Sequence, residues 1–329
     1  MPTMEEVHRA YRHRLEKIPP DSWRAFYEIM VVRFIIVTAM LPFWLGTVLA
    51  FYQHGTVHWP VFLISSLTVF LIMAATNAGN TYFDYETDSK NFEFSAYSGG
   101  IRVLVEGKIT DRRRALWFAF GLLVAALPLG LSLRFIFGTG PWTIPLGLFG
   151  ALCGWFYTAK PVKLVYRGLG ELAIALCCGA LTVVSGYYLQ ANRFDLALIP
   201  LAVALAGSIL NVILINEFAD RRTDALSGKR TMLVRLGPGK AARLYRANQV
   251  WSLAAAALAP LFGVPWYAAL LALAMATPVV WRNRRRTLER AYEGDGINDL
   301  TLDTFAVHLF LEVGFLIPVL VAGLIRWVM

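Results

Sequence analysis

Nine apolar stretches divide this chain, and short basic segments follow every second one. They run approximately over 30–52, 59–83, 114–136, 142–158, 169–190, 195–218, 245–262, 265–281 and 304–327. A bilayer core about 30 Å thick needs roughly 20 mostly apolar residues per helix. The fourth and eighth stretches are short by that measure. The rest of the composition agrees: 57% of residues are hydrophobic, 16% are charged, and the mean hydropathy is +0.54. An ordinary soluble domain is about 25% charged. A soluble globular enzyme, a disordered tail and a nucleic-acid module are therefore excluded.

The net charge of +9 forms no groove or stripe. Of the 31 Lys and Arg residues, 26 lie in five segments: the N-terminal region, Tyr85 to Arg114, Lys160 to Arg167, Ala219 to Arg243, and Arg282 to Arg290. The intervening loops are nearly free of positive charge. This alternation predicts a multi-pass protein of a cell inner membrane, with its N-terminus cytoplasmic and its C-terminus outside. Residues 1–28 are too charged for a cleaved signal peptide and form a cytoplasmic N-terminal segment; residues 29–329 form one transmembrane domain. Within 1–18, Val7, Tyr11, Leu15 and Ile18 recur at helical spacing among basic residues. This predicts an amphipathic helix on the membrane surface, stopped by Pro19-Pro20. Cys153, Cys177 and Cys178 sit in apolar runs without zinc-ligand spacing and read as small buried hydrophobes. The five histidines are dispersed.

Two acidic clusters stand where a membrane disfavours them. The second stretch ends in Asn77-Ala-Gly-Asn80-Thr-Tyr-Phe-Asp84-Tyr-Glu86-Thr-Asp88. The sixth ends in Asn216-Glu217-Phe-Ala-Asp220-Arg-Arg-Thr-Asp224. Asn80, Asp84 and Asp88 recur every four residues, as do Asn216, Asp220 and Asp224. On a helix each such step drifts by only about 40°, so each triplet shares a face. Both clusters fall on the cytoplasmic side by the charge count. Carboxylates at the hydrocarbon edge are costly unless paired, solvated or bound to metal. Mg²⁺ takes hard oxygen ligands and is commonly held by one or two carboxylates plus substrate phosphates. Two opposed clusters would hold Mg²⁺ around a diphosphate, with Asp84, Asp88, Asp220, Asp224 and Asn80 as metal ligands and Asn216 orienting the substrate. The repeat also suggests a duplicated helical unit.

Basic and hydroxyl groups in the same loops are candidates to bind the diphosphate: Arg33, Arg102, Tyr157, Lys160, Lys163, Arg221 and Lys229. They would stabilise a departing diphosphate electrostatically. Gly99-Gly100 and Gly228 suggest loops that bring backbone close to a ligand. Gly228-Lys229 is not a phosphate loop, because the upstream glycine and the Ser or Thr directly after the lysine are missing.

Asn80-xxx-Asp84-xxx-Asp88 on the second stretch, with its partner cluster on the sixth, resembles the UbiA superfamily of intramembrane prenyltransferases. The resemblance covers nearly the whole chain. It implies an all-α, nine-helix barrel with a central cavity and cytoplasmic cap loops after the second and sixth helices. It also implies Mg²⁺-dependent transfer of a polyprenyl group from polyprenyl diphosphate to an aromatic acceptor. Three stretches are most similar to the 1,4-dihydroxy-2-naphthoate branch of menaquinone biosynthesis. They are Asn80 to Tyr85 with Gly99 to Gly107, Tyr157 to Leu164 with Gly168 to Leu172, and Asn216 to Asp224 with Gly228 to Gly237. Two departures are Glu217, where many relatives carry a second Asn, and Arg33-Phe34, where an Arg-Pro pair is often seen. Other acceptors within the family, such as 4-hydroxybenzoate or homogentisate, share the same aspartates. A cation-coupled transporter is the remote alternative; it should carry ionisable groups at the membrane midplane and on both sides.

Overall fold

In lipid, backbone N–H and C=O groups find no water, so the apolar stretches must satisfy them internally and become helices. The computed structural model describes residues 4–91, 101–294 and 296–327, and no strand occurs among them. Six helices are long and apolar enough to cross a membrane: α2 (Trp23–His54), α3 (Trp59–Phe83), α4 (Arg112–Phe135), α6 (Gly170–Ala191), α7 (Leu198–Leu226) and α10 (Gly296–Trp327). They follow an N-terminal helix, α1 (Met4–Glu16). The other three expected spans coincide with α5 (Thr143–Trp155), which is apolar but short, and with α8 (Pro238–Leu258) and α9 (Trp266–Leu288). Arg243 and Arg246 interrupt α8, and α9 ends in Arg282, Arg284, Arg285 and Arg286.

The outward faces are apolar. Leu63 and Leu67 on α3, and Trp117, Phe120, Val124 and Leu127 on α4, are all exposed at the spacing of one helix face. That is the surface a bilayer covers. Inside, α3 packs mainly against α4, α5 and α2, whereas α7 packs against α8, α6 and α10, and α9 lies along α10. The largest core cluster joins α2, α6, α7, α8, α9 and α10 and is rich in alanine. Lipid tails are as apolar as leucine, so close backbone approach drives such contacts. The crossing of α2 and α6 shows it. A Cβ at Gly46 would overlap the carbonyl oxygen of Val183, and one at Gly186 would overlap that of Phe43. Both helices open into wide π turns nearby, at Ile36–Met40 and Ala175–Leu181. The three cysteines are free.

The N-terminal segment is helical over Met4–Glu16, and its Tyr11 and Leu15, with Ile18 just beyond, meet protein. Leu15 and Ile18 are buried in a cluster with Ala25, Ile29, Ala78, Val103, Leu104 and Ile109, and Tyr11 packs against it. The loop before α4 supplies the cover. Asp21 fastens it, accepting from Thr110 N–H at 3.1 Å and pairing with Arg114 at 2.8 Å. Spacing alone cannot distinguish a helix face that meets lipid from one that meets a loop.

Candidate active site

The two acidic clusters occupy the ends of α3 and α7. Beyond Phe83 the helical bonding continues: Asp84 N–H donates to Asn80 at 2.8 Å, and Asp88 N–H donates to Asp84 at 2.9 Å. Asn80, Asp84 and Asp88 therefore keep a common face through the added turn Tyr85–Asp88. On α7 the helix is continuous through Asp224. One cavity of about 170 Å³ is lined by Asn77, Asn80, Asp84, Asp88, Asp220, Asp224 and Lys229, with Asn91 and Thr223 among its other walls, whereas Asn216 and Tyr157, expected at the site, are not among its lining residues. Its size suits a polar head group and ions.

Two polar contacts span the cavity. Lys229 Nζ lies 3.1 Å from Asp84 Oδ1 and 3.7 Å from Asp224 Oδ1, so one ammonium joins the two clusters. Asn91 Nδ2 donates to Asp220 Oδ1 at 2.8 Å, tying the segment after α3 to α7. Asn80 Oδ1 accepts from the Thr158 hydroxyl at 2.7 Å, and Asn77 Nδ2 donates to the Met30 carbonyl at 2.7 Å.

The electrostatics follow from burial and crowding. Burial, then the charge of Asp84, pushes the Asp88 carboxyl well above its ordinary range; Lys229 works against this shift. Burial opposes the charge on Lys229, but Asp84, Asp224 and Asp88 together outweigh it and hold the ammonium protonated.

The donor set suits a hard divalent cation. It consists of carboxylate and amide oxygens, and two of them are buried without an aligned hydrogen bond: Asp84 Oδ1 and Asn216 Oδ1. Asp84 Oδ1 meets Lys229 as a charge contact only. Among the described residues no three acidic or imidazole groups are gathered tightly enough to hold a metal by themselves. The ammonium of Lys229 stands between the clusters, where additional cations and a diphosphate would enter.

Of the basic residues singled out from the sequence, Lys229 alone lines the cavity. Arg33, Lys160 and Arg221 are exposed. Lys163 places its ammonium 4.1 Å above the Tyr166 ring. Arg102 is only 4% exposed and is turned into its own loop, donating to the carbonyls of Asp88 at 3.2 Å and Asn91 at 2.9 Å and pairing with Glu106. It holds the segment that carries two cavity residues and is not one of the cavity's lining groups. Gly99 and Gly100 lie outside the described residues. Sequence reasoning missed Asn91 and Thr158. Asn91 had a signal, since it stands one helical step beyond Asp88; Thr158 had none.

Comparison with known proteins bears on the same region. The model of the UbiA prenyltransferase family matches residues 39–293. The 1,4-dihydroxy-2-naphthoate octaprenyltransferase of Mycobacterium tuberculosis is 31% identical over 210 residues, covering 63% of this chain and 68% of the relative. The human UbiA prenyltransferase domain-containing protein 1 is 25% identical over 312 residues, covering 93% and 88%. Among solved structures, the apo UbiA homolog from Aeropyrum pernix K1 superposes with a TM-score of 0.66 at 17% identity, covering 87% of this chain and 98% of that one. A UbiA homolog from Archaeoglobus fulgidus bound to GPP and Mg²⁺ gives 0.57 at 16% identity, covering 90% and 99%.

Proposed function

The chain belongs to the UbiA prenyltransferase family, and we propose that it moves a polyprenyl group from polyprenyl diphosphate onto 1,4-dihydroxy-2-naphthoate, as its naphthoate-specific relatives are named to do. It is a multi-pass membrane prenyltransferase. The observation that carries the proposed site is the facing pair of carboxylate clusters with one lysine between them.

In this reading Asp84, Asp88, Asp220 and Asp224, with Asn80, hold Mg²⁺; when bound, the metal neutralises the diphosphate and makes it a better leaving group. The residues of the chain supply the rest. Lys229 offers a permanent cation to the departing oxygens, and the Tyr157 hydroxyl is a nearby donor. Asn216 has a free amide oxygen with which to orient the head group. Below the carboxylates, Met73, Ile174, Cys178, Ile209, Val212 and Phe305 form an apolar cluster drawn from α3, α6, α7 and α10. A prenyl tail directed into this cluster meets apolar side chains, which keep the surroundings of its first carbon poor in water. That matters because loosening of the C–O bond leaves an allylic cation that water would quench. The electron-rich ring attacks that carbon, diphosphate carries off the bonding pair, and the ring carboxylate leaves as CO₂.

The basic loops support a reading in which this end of the molecule lies at the cytoplasmic face of an inner membrane. In the same reading α5, α8 and α9 complete a nine-span barrel, and the loops after α3 and α7 cap it. The test is prenylation of dihydroxynaphthoate by purified protein in lipid, with and without Mg²⁺, against a panel containing 4-hydroxybenzoate and homogentisate. Product from dihydroxynaphthoate alone is expected. Product from another acceptor alone would reassign the substrate, and diphosphate release from none would refute the transferase site as drawn.

A further inference from the structure

Glu171 and Glu217 do not line the cavity, and no step above uses them. One residue along a helix rotates the side chain by about 100°. Asn216, Asp220 and Asp224 drift by about 40° per step, so Glu217 stands at the Asp224 edge of their face, about two turns deeper in α7 than Asp224. It stands beside Glu171 in the first turn of α6. Both side chains are buried, Glu171 at 1% and Glu217 at 7% exposure.

Both carboxyl groups accept from backbone. Met232 N–H donates to Glu171 Oε1 at 2.5 Å, and Leu233 N–H donates to Glu217 Oε2 at 3.1 Å. The next N–H, of Val234, goes to the Thr231 hydroxyl at 3.3 Å. Three successive donors are thus satisfied by side chains, two of them by this pair. On the near side of the clamp, Arg230 N–H reaches the Val165 carbonyl at 3.3 Å, and Lys229 N–H returns to the Asp224 carbonyl at 3.0 Å. Gly228, at φ +77°, lets the chain double back there. Lys229 therefore sits on a short loop fixed at one end by α7 and at the other by the two glutamates.

We propose that Glu171 and Glu217 are positioning residues for the diphosphate end of the reaction: by gripping the backbone at Met232 and Leu233 they set Lys229 between Asp84 and Asp224. The proposal rests on the reading of Lys229 as the cation that meets the diphosphate. Glutamine at either position keeps the shape and an oxygen for the backbone donor. Alanine keeps neither.

The test is a double-mutant cycle with Lys229→Met in lipid-reconstituted protein. Glu217→Ala alone should lower kcat/KM for the prenyl diphosphate roughly ten- to a hundredfold, the range of one charge-assisted hydrogen bond, with the acceptor KM unchanged. In the Lys229→Met background the same change should cost less than about twofold, because the two act through one contact. Glu217→Gln should stay within about threefold of the parent in either background. Equal losses in both backgrounds would overturn the proposal, since they would mark a general structural role. Glu217→Asp, which keeps the acid but withdraws it from Leu233, serves if the alanine variant does not fold, with the same coupled loss expected. A second readout needs no turnover: labelling of Lys229 by an amine-reactive ester, followed by mass spectrometry. Lys229 should label faster in Glu217→Ala or Glu217→Asp than in the parent; unchanged labelling would overturn the proposal. If Lys229→Met leaves diphosphate binding intact, the reading of Lys229 as a diphosphate ligand fails, and the labelling result still decides whether the glutamates hold it.

Discussion

Replacing Lys229 with methionine should weaken diphosphate binding and strengthen metal binding, two effects of opposite sign from one change. The ammonium lies 3.1 Å from Asp84 and 3.7 Å from Asp224, and all three side chains are 10–15% exposed. At an effective dielectric of about 20, each contact is worth about 5 kcal/mol of attraction before desolvation takes most of it back. Methionine keeps the stem volume and removes the charge. Without diphosphate, the aspartates then lose their internal counter-ion, and Mg²⁺ no longer competes with an ammonium. Its affinity should rise. With diphosphate, one charge-assisted contact is lost, about 1.5–3 kcal/mol or roughly a ten- to hundredfold weaker Kd. Isothermal titration of the reconstituted variant, first with Mg²⁺ and then with a prenyl diphosphate in saturating Mg²⁺, reads both. Unchanged diphosphate affinity, or weaker Mg²⁺ binding without diphosphate, would refute the reasoning.

Three further outcomes are expected. Because burial and Asp84 raise the proton affinity of Asp88, a group that must be ionised to hold a cation, kcat/KM for the prenyl diphosphate should fall on acidification with an apparent pKa above the ordinary carboxylate range of about 4. More Mg²⁺ should move that limb to lower pH, and Lys229→Met should move it higher, as a pH series at several metal concentrations would record. Arg102→Ala removes the donors that hold the Asp88 and Asn91 carbonyls and should raise the diphosphate KM severalfold, about 1 kcal/mol or more, while leaving the acceptor KM alone in steady-state assays. Gly186→Val, which forces a side chain into the Phe43 carbonyl, should lower thermal stability by about 1–3 kcal/mol or more. Gly147→Ala, with open space around it, should not, in paired melting curves.

The aspartates were legible in the sequence because four-residue spacing survives folding: it depends only on the helix repeat, and both clusters lie on or just beyond long helices. Their mutual orientation follows from tertiary packing, which spacing does not encode. Selecting Lys229 from the basic residues was beyond the sequence for a related reason. Arg102 and Lys229 sit in similar glycine-flanked loops, yet Arg102 is drawn inward by carbonyls of its own segment while Lys229 is held over the cavity. A positive charge near the membrane surface can serve topology, loop closure or ligand, and only its partners tell which. The face of α1 was ambiguous likewise, since Leu15 and Ile18 would be apolar against lipid or against Val103 and Leu104. The helices around the core were legible where they are long and apolar. α8 and α9 were harder, because arginines enter them from the loop ends. Glu217 was noticed as a departure, but its place beside Glu171, 46 residues earlier in the chain, leaves no local trace.

Both carboxylate clusters must contribute to a single cation-bridged diphosphate site. Mn²⁺ in place of Mg²⁺, with an unreactive thiolo analogue of a prenyl diphosphate, makes this measurable as ³¹P coupling to the metal in pulsed electron-nuclear double resonance. The parent should show strong ³¹P coupling, and both Asp84→Ala and Asp220→Ala should weaken or abolish it while the helical content stays intact. Full coupling after loss of either aspartate would contradict the two-cluster site.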